Sequence, residues 1–207
     1  MKKRLVIALA VSFACLMAGA CVPIPNIAID GPYKGKVVEL ETGEPIEGAV
    51  VAGNWSLEYF GGRKECFKET VTDKNGEFVL PTVICISPFL FRGEFGHPLV
   101  IVFKPGYLGY PPLDLKNSPF TGDEFTDKHS YNVIRLGKAT NPGERDATLM
   151  DLYYFPFANK AEFKEQLPLF FELKRQEEEY LEKLDREGKR YINIYKERPA
   201  GIPPITH

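Results

Sequence analysis

Ala49-Val-Val-Ala-Gly-Asn-Trp-Ser-Leu-Glu-Tyr59 decides the fold class of this chain. Val51, Trp55, Leu57 and Tyr59 share one parity, and Asn54, Ser56 and Glu58 share the other. A period of two puts successive side chains on opposite faces of extended backbone, so this stretch predicts a β-strand with one buried face. A helical period would mix the two sets around its circumference.

Segments on either side read the same way. Tyr33–Leu40 is β-rich around Val37-Val38. Cys66–Thr72 and Glu77–Val83 flank Asp73-Lys-Asn-Gly76, predicted as a hairpin loop in which Gly76 takes positive φ. Within Pro98–Lys104, the continuous apolar run Leu99-Val-Ile-Val-Phe103 predicts a fully buried strand. Ser130–Leu136 closes the set. Six or seven short strands between Gly, Asp and Pro turns predict a mainly β protein, a sandwich spanning residues 33–138.

Four motifs then occur in order: Gly35-Lys-Val-Val38, Thr42-Gly-Glu-Pro-Ile-Glu-Gly-Ala-Val-Val51, Thr72-Asp-Lys-Asn-Gly-Glu-Phe-Val-Leu80 and Phe103-Lys-Pro-Gly-Tyr107. Together they resemble the carboxypeptidase regulatory-like domain and cover about half the chain. The resemblance implies a transthyretin-like, prealbumin-type β-sandwich of seven strands in two sheets. It carries over no zinc site, because the name refers to an accessory domain beside a peptidase. The chain also lacks the Tyr-Arg-Gly-Ser ending of transthyretin-like hydrolases. Each motif has a fold-making role. Gly43 and Pro45 turn the chain, Ile46 and Val50 point into the core, Asp73 bonds its own turn, and Gly106 reverses the chain after the buried strand. Ile84–His97 and Leu108–His129 exceed the usual connection length.

Length and composition agree with one globular unit. The 207 residues are 44% hydrophobic and 26% charged, which disfavours disorder and a multi-span membrane protein. Residues 1–20 hold three of the 26 basic residues and no acidic one, so their removal takes the net charge from −2 to −5. With no basic excess, no nucleic-acid partner is expected.

The N-terminus reads as an address. Lys2, Lys3 and Arg4 precede the apolar run Leu5–Met17, which is shorter than the roughly 20 residues needed to span a bilayer. Ala18-Gly-Ala20 and Cys21 follow. This arrangement resembles the lipobox of bacterial lipoproteins, with Ala18 where that family prefers Leu. The resemblance implies a signal peptide over 1–20, acylation (palmitate among the chains) of Cys21, and a lipid-anchored tether over 21–32. Val22 after the cysteine, rather than Asp, implies the periplasmic side of the outer membrane. Ala18-x-Ala20 is also an ordinary cleavage site, and cleavage there would give a soluble exported protein with three cysteines. Lipidation of Cys21 would instead leave the pair Cys66 and Cys85. These stand at nearly equal distance from the Asp73–Gly76 turn, so a disulfide and two free thiols are both open readings, depending on strand parity.

Residues 139–158 read as a linker, 159–197 as a helical arm and 198–207 as a tail. Asn159-Lys-Ala-Glu162 is a capping-box pattern. Phe163, Leu167, Phe170, Leu173, Leu181 and Leu184 recur at mostly helical spacing, Pro168 kinks the helix or begins a second one, and Gly188 ends it. Residues 160–198 hold ten basic and ten acidic side chains. A neutral helix with one apolar stripe is expected to dock on its own domain, and a partner-binding arm is the alternative.

Signals for chemistry are sparse. His97, His129 and His207 have no close metal-ligand spacing, so no metal or cofactor is expected. Gly35-Lys36 and Gly137-Lys138 are not P-loops, and no GxSxG elbow occurs. Asp73-x-Asn75-Gly76 resembles a calcium loop without its downstream glutamate, and reads as a turn. Asn54-Trp-Ser56 is a glycosylation sequon that a bacterial setting discounts. Phe89, Phe91, Phe95, Tyr107, Tyr110, Phe120 and Phe125 crowd the two long segments. Of these, Phe89, Phe91, Phe95, Tyr107 and Tyr110 are the ligand-binding candidates. The plainer alternative is a satellite cluster pinning the loops. The expected function is a non-enzymatic, lipid-anchored cell-envelope protein whose sandwich binds a protein or glycan or has a structural role. A carbohydrate-binding module using the loop aromatics is the alternative. An undescribed hydrolase, with His97 or His129 beside Asp123 or Asp127, is a second.

Overall fold

The structure, a computed structural model, describes residues 26–59, 62–87, 98–111, 129–153, 155, 157–158 and 160–188. Among them are eight strands: β1 (Asn26–Asp30), β2 (Tyr33–Glu39), β3 (Val50–Tyr59), β4 (Gly62–Val71), β5 (Glu77–Leu80), β6 (Val83–Ser87), β7 (Leu99–Phe103) and β8 (Tyr131–Leu136). Two α-helices follow, α1 (Pro142–Tyr153) and α2 (Pro168–Arg186), with a 3-10 turn at Ala161–Phe163 between them. The strands form two three-stranded sheets, β5-β2-β8 and β4-β3-β7, and a two-stranded ribbon, β1-β6. The protein is mainly β.

The two three-stranded sheets close over a core that includes Val37, Val51, Trp55, Phe78, Leu80, Val102 and Ile134. Close approach is enforced locally. A Cβ at Gly35 would meet the Phe78 ring at 2.7 Å, so β2 passes there only as glycine. Gly76 takes φ +75, the left-handed value its turn requires. Thr72 is buried, accepting from the Ala49 N–H at 2.8 Å and donating to the Ile46 carbonyl at 2.6 Å, which removes the cost of a buried hydroxyl.

A second core lies on the other face of β4-β3-β7. Val50, Ala52, Phe67, Ile101 and Phe103 pack there against Leu149, Leu152, Phe157, Leu167, Phe170 and Leu181 from the C-terminal segment. Fully burying one Leu or Phe is worth about 1.5–3 kcal/mol, so this face holds the helices firmly. Phe67 meets Phe163 at 4.6 Å and Phe157 at 5.6 Å between centroids, and Phe103 meets Phe170 at 6.3 Å. The helices are tied to each other by Arg145, whose guanidinium forks onto the carboxylate of Glu177 (Nε to Oε1 2.6 Å) and lies 3.7 Å from the Tyr180 ring centre.

Several expectations change. Residues 21–32, read as a tether, contain β1, because Asn26–Asp30 finds an antiparallel partner in β6. The linker over 139–158 contains α1, started by Pro142 in its first turn and by the Asn141 side chain accepting the Glu144 N–H at 3.0 Å. The Asp73–Gly76 loop is not the tip of a hairpin. β4 pairs with β3 and β5 with β2, so the turn carries the chain from one sheet to the other. Glu77–Val83 is broken at Pro81, and β5 and β6 join different sheets. β3 is buried on both faces from Val50 to Trp55, because the helices cover the face expected to meet solvent; Val50 points toward them. Of the two readings of Pro168, kink or second start, the second holds: α2 begins there after a separate 3-10 turn at Ala161–Phe163, and Asn159 lies outside the described residues.

Leu167, at the cap position of α2, has no side-chain acceptor to offer. Glu69 on β4 supplies it, accepting the Leu169 N–H at 2.8 Å and the Phe170 N–H at 3.0 Å. Glu69→Ala is expected to lower stability by about 1 kcal/mol, read from the urea midpoint. Burial raises the Glu69 carboxyl above 4.5, outweighing the lowering by the two N–H groups. The native state then holds the proton more tightly than the unfolded chain. The part of Glu69's contribution tied to this shift is therefore complete below pH 4.5 and declines as pH rises through the raised value. Midpoints measured from pH 4 to 7 should show that decline in the wild type, relative to Glu69→Gln.

Candidate functional site

The outer face of β5-β2-β8 is open, and its register builds a row across three strands. Lys34 of β2 pairs with Val79 of β5 on one side and with Tyr131 of β8 on the other. Directly paired residues project to the same face, so Val79, Lys34 and Tyr131 stand side by side. Val79 is half-exposed, Tyr131 is 55% exposed, and Lys34 is exposed. Val71, on the neighbouring edge of β4, is also exposed and lines the same groove.

Two adjoining grooves share Lys34 and Tyr131. One, of about 460 Å³, is walled by Gly31, Pro32, His129 and Ser130. The other, of about 350 Å³, runs past Thr70, Val71, Asp73, Glu77 and Val79. Tyr131 Oη donates to Glu77 Oε1 at 3.2 Å. Desolvation, the Glu77 hydrogen bond and the negative charges of Glu77 and Asp73 raise the Tyr131 hydroxyl above 10.0, so it remains a donor at neutral pH. The Asp73 side chain is committed to its own turn, accepting from the Asn75 and Glu77 N–H groups at 2.9 Å each. An aromatic flank between an ammonium and a carboxylate offers a stacking surface, donors and acceptors to a polar ligand.

A third groove, of about 470 Å³, lies beside Asn54, Arg63, Lys160 and Phe163. Its polar groups are largely engaged with one another. Asn54 donates to Glu65 at 2.7 Å, Arg63 pairs with Glu65, and Lys160 lies 3.7 Å from Glu162 and 5.5 Å from the Phe163 ring centre. This groove reads as a structural seam between β4 and the helical layer.

The aromatic candidates separate. Tyr110 is 4% exposed and belongs to the inter-sheet core, pairing its backbone with Val102. This corrects its reading as a ligand contact: the chain turns back after β7 and seats the ring inside. Tyr107 is partly buried against the same core. Phe89, Phe91, Phe95, Phe120, Phe125, His97, Asp123, Asp127, His207 and Cys21 lie outside the described residues. His129 is exposed at the groove wall. Among the described residues there is no group of three or more His, Cys, Asp or Glu placed to hold a metal ion. Tyr131 was missed by sequence reasoning. The signal was the alternation of β8, in which Asn132, Ile134 and Leu136 point inward and Tyr131 and Arg135 outward.

Cys66 and Cys85 form a disulfide with Cα atoms 6.0 Å apart. The bond does not cross a hairpin. It joins β4 of the central sheet to β6 of the ribbon, across from the Trp55–Cys66 pair of β3 and β4. Asp30 adds a second tie, with Oδ2 accepting from Trp55 Nε1 at 2.8 Å and from Tyr33 Oη at 2.6 Å. The ribbon is thus held to the sandwich at both strands.

Comparison with family models, with curated proteins and with solved structures finds no match. The disulfide closes a loop of 19 residues. Its loss in the Cys66→Ala/Cys85→Ala variant is expected to cost about 3 kcal/mol by the chain-entropy model, read from the urea midpoint. Reduced wild-type protein should unfold near the same midpoint.

Proposed function

We propose that this chain is a non-enzymatic, lipid-anchored cell-envelope protein whose β-sandwich holds a protein or glycan ligand near the membrane. The observation that carries the proposal is the division of its cysteines. Cys66 and Cys85 bond each other, as suits an oxidising compartment, and Cys21 is left at the junction of a signal-like segment and the fold. The open groove at Lys34 and Tyr131, with apolar and polar lining side by side, supports a binding role. A transthyretin-like sandwich extended by a ribbon and a helical layer is the finer fold reading. Positive-φ glycines at Gly43, Gly76 and Gly106, each in one of the motifs that carry the resemblance, support it.

Intact mass of protein isolated from its native envelope tests the anchor. Acyl chains on a chain beginning at Cys21 are expected, absent from Cys21→Ser, with a gain of two hydrogens on reduction of the Cys66–Cys85 bond. An unacylated chain beginning at Cys21 would make this a soluble exported protein.

The exposure of Tyr131 beside Lys34 favours a glycan as the ligand class. The aromatic platform then lies on the sheet face rather than in the loop segments. Tyr131→Ala is expected to weaken binding of soluble muropeptides about tenfold, equivalent to ~1.4 kcal/mol, in calorimetric titration. Affinity unchanged by the substitution would remove the glycan reading and leave a protein ligand.

A further inference from the structure

The β1-β6 ribbon has two unlike faces. Ala28 pairs with Cys85, and that side turns inward, with Cys85 buried and bonded to Cys66. On the other side Ile27 pairs with Ile86 and Ile29 with Ile84. These four isoleucines are 55%, 47%, 62% and 59% exposed in that order. Among the described residues this patch is made of isoleucine and belongs to neither core, and on a ribbon fixed at both strands it costs solubility.

We propose that this isoleucine face is a membrane-docking surface, seated at the boundary of headgroups and acyl chains beside the lipid anchor. The inference rests on the reading of Cys21 as the acylated residue. Five residue steps separate Cys21 from Asn26, where the ribbon starts, a reach of about 17 Å at full extension. The face therefore cannot leave the neighbourhood of the bilayer once the anchor is inserted. Charge at the ribbon's end agrees. Lys64 Nζ donates to the Ile86 carbonyl at 2.7 Å, and Ile86 pairs with Ile27, one residue from Asn26. An exposed ammonium thus stands at the end nearest the anchor, where anionic headgroups would meet it. A second copy of the chain fits the patch less well. Its exposed area is on the order of 400 Å², half of the roughly 800 Å² per partner in a stable interface. An acyl anchor combined with an apolar face and a cation supplies several signals for stable attachment, and the face adds a fixed orientation.

The test uses the full chain isolated from its envelope and reconstituted in phosphatidylethanolamine–phosphatidylglycerol vesicles whose acyl chains carry bromine. Trp55, the native tryptophan, is buried in the sandwich and provides the background. Ile29→Trp and Ile84→Trp report from the two strands of the ribbon, and Met150→Trp reports from exposed α1. Both ribbon reporters are expected to lose more than half of their added fluorescence, while Met150→Trp and the wild type change by less than a tenth. Ribbon reporters quenched no more than Met150→Trp, on chains whose mass shows acylated Cys21, would overturn the docking and leave the anchor standing. A mass without acyl chains would overturn the anchor, and the same quenching ratio would still decide the docking. Unquenched reporters on a chain that sediments as a dimer, and as a monomer in Ile27→Ser/Ile29→Ser, would assign the face to a second copy. Unfolding midpoints within a few degrees of wild type show that the reporters leave the fold intact.

Discussion

Burial of the β4-β3-β7 sheet on both faces is the constraint from which the rest of the structure follows. Val51 and Trp55 enter the inter-sheet core, while Val50 and Ala52 on the same strand enter the helical one. β7 does the same with Val102 on one side and Ile101 and Phe103 on the other. A sheet this apolar cannot face water, so the C-terminal segment is an obligatory third layer and not an appendage. The polar features of the helices serve that layer. Glu69 reaches from β4 to satisfy two N–H groups of α2, and Arg145 binds Glu177 at the junction of α1 and α2. The buried ion pair is a weak source of net stability by itself, since desolvation offsets much of its attraction. Its value here is registry: the bidentate fork and the Tyr180 ring together define how the two helices meet.

Elements with a strict period were legible in the sequence. The alternation at Ala49–Tyr59, the continuous run Leu99–Phe103 and the span Ser130–Leu136 all mark strands that form, within a residue or two of their predicted ends. What escaped has physical causes. Asn26–Asp30 is short and flanked by prolines, and only pairing with β6 makes it a strand. Asn141-Pro-Gly-Glu144 carries a helix-start pattern, but α1 has only a weak apolar stripe of its own, so periodicity does not mark it. The Asp73–Gly76 turn was recognised for its local chemistry, which is present. Whether such a turn stays within one sheet or crosses to the next depends on partners distant in sequence, and no local signal carries that. For the candidate site, the loop aromatics drew attention by crowding, whereas the groove arises from strand register, which sets Val79, Lys34 and Tyr131 in a row.

The disulfide illustrates the same distinction. Spacing about the turn suggested a contact between Cys66 and Cys85, and the two residues do meet, but by a different route. β4 and β5 separate at the turn, and the chain comes back through β6, one strand later. The bond consequently links two sheets that share no backbone ladder, the central sheet and the ribbon. Together with Asp30, which accepts from Trp55 and Tyr33, it makes the ribbon part of the rigid body. Without those ties a two-stranded ribbon of this length would be marginal in water.

That rigidity bears on how the domain would present its groove under the proposed anchoring. A long flexible tether lets a domain sample all orientations, so a site on it meets the membrane and the solvent alike. In this chain β1 starts at Asn26, five residues after Cys21 in sequence, and is clamped through its partner to the centre of the sandwich. On the proposed acylation of Cys21, the reach of the domain would be limited to about 17 Å, less than the dimensions of the domain itself. Over so short a leash, which face meets the lipid would be decided by chemistry rather than by diffusion. Lys34 and Tyr131 sit on an outward face of β5-β2-β8, with Pro32 and Gly31 linking β2 back to the ribbon. The register of the ribbon thus fixes the groove relative to the isoleucine face, and on the proposed anchoring a ligand in the groove would be held at a set height above the lipid.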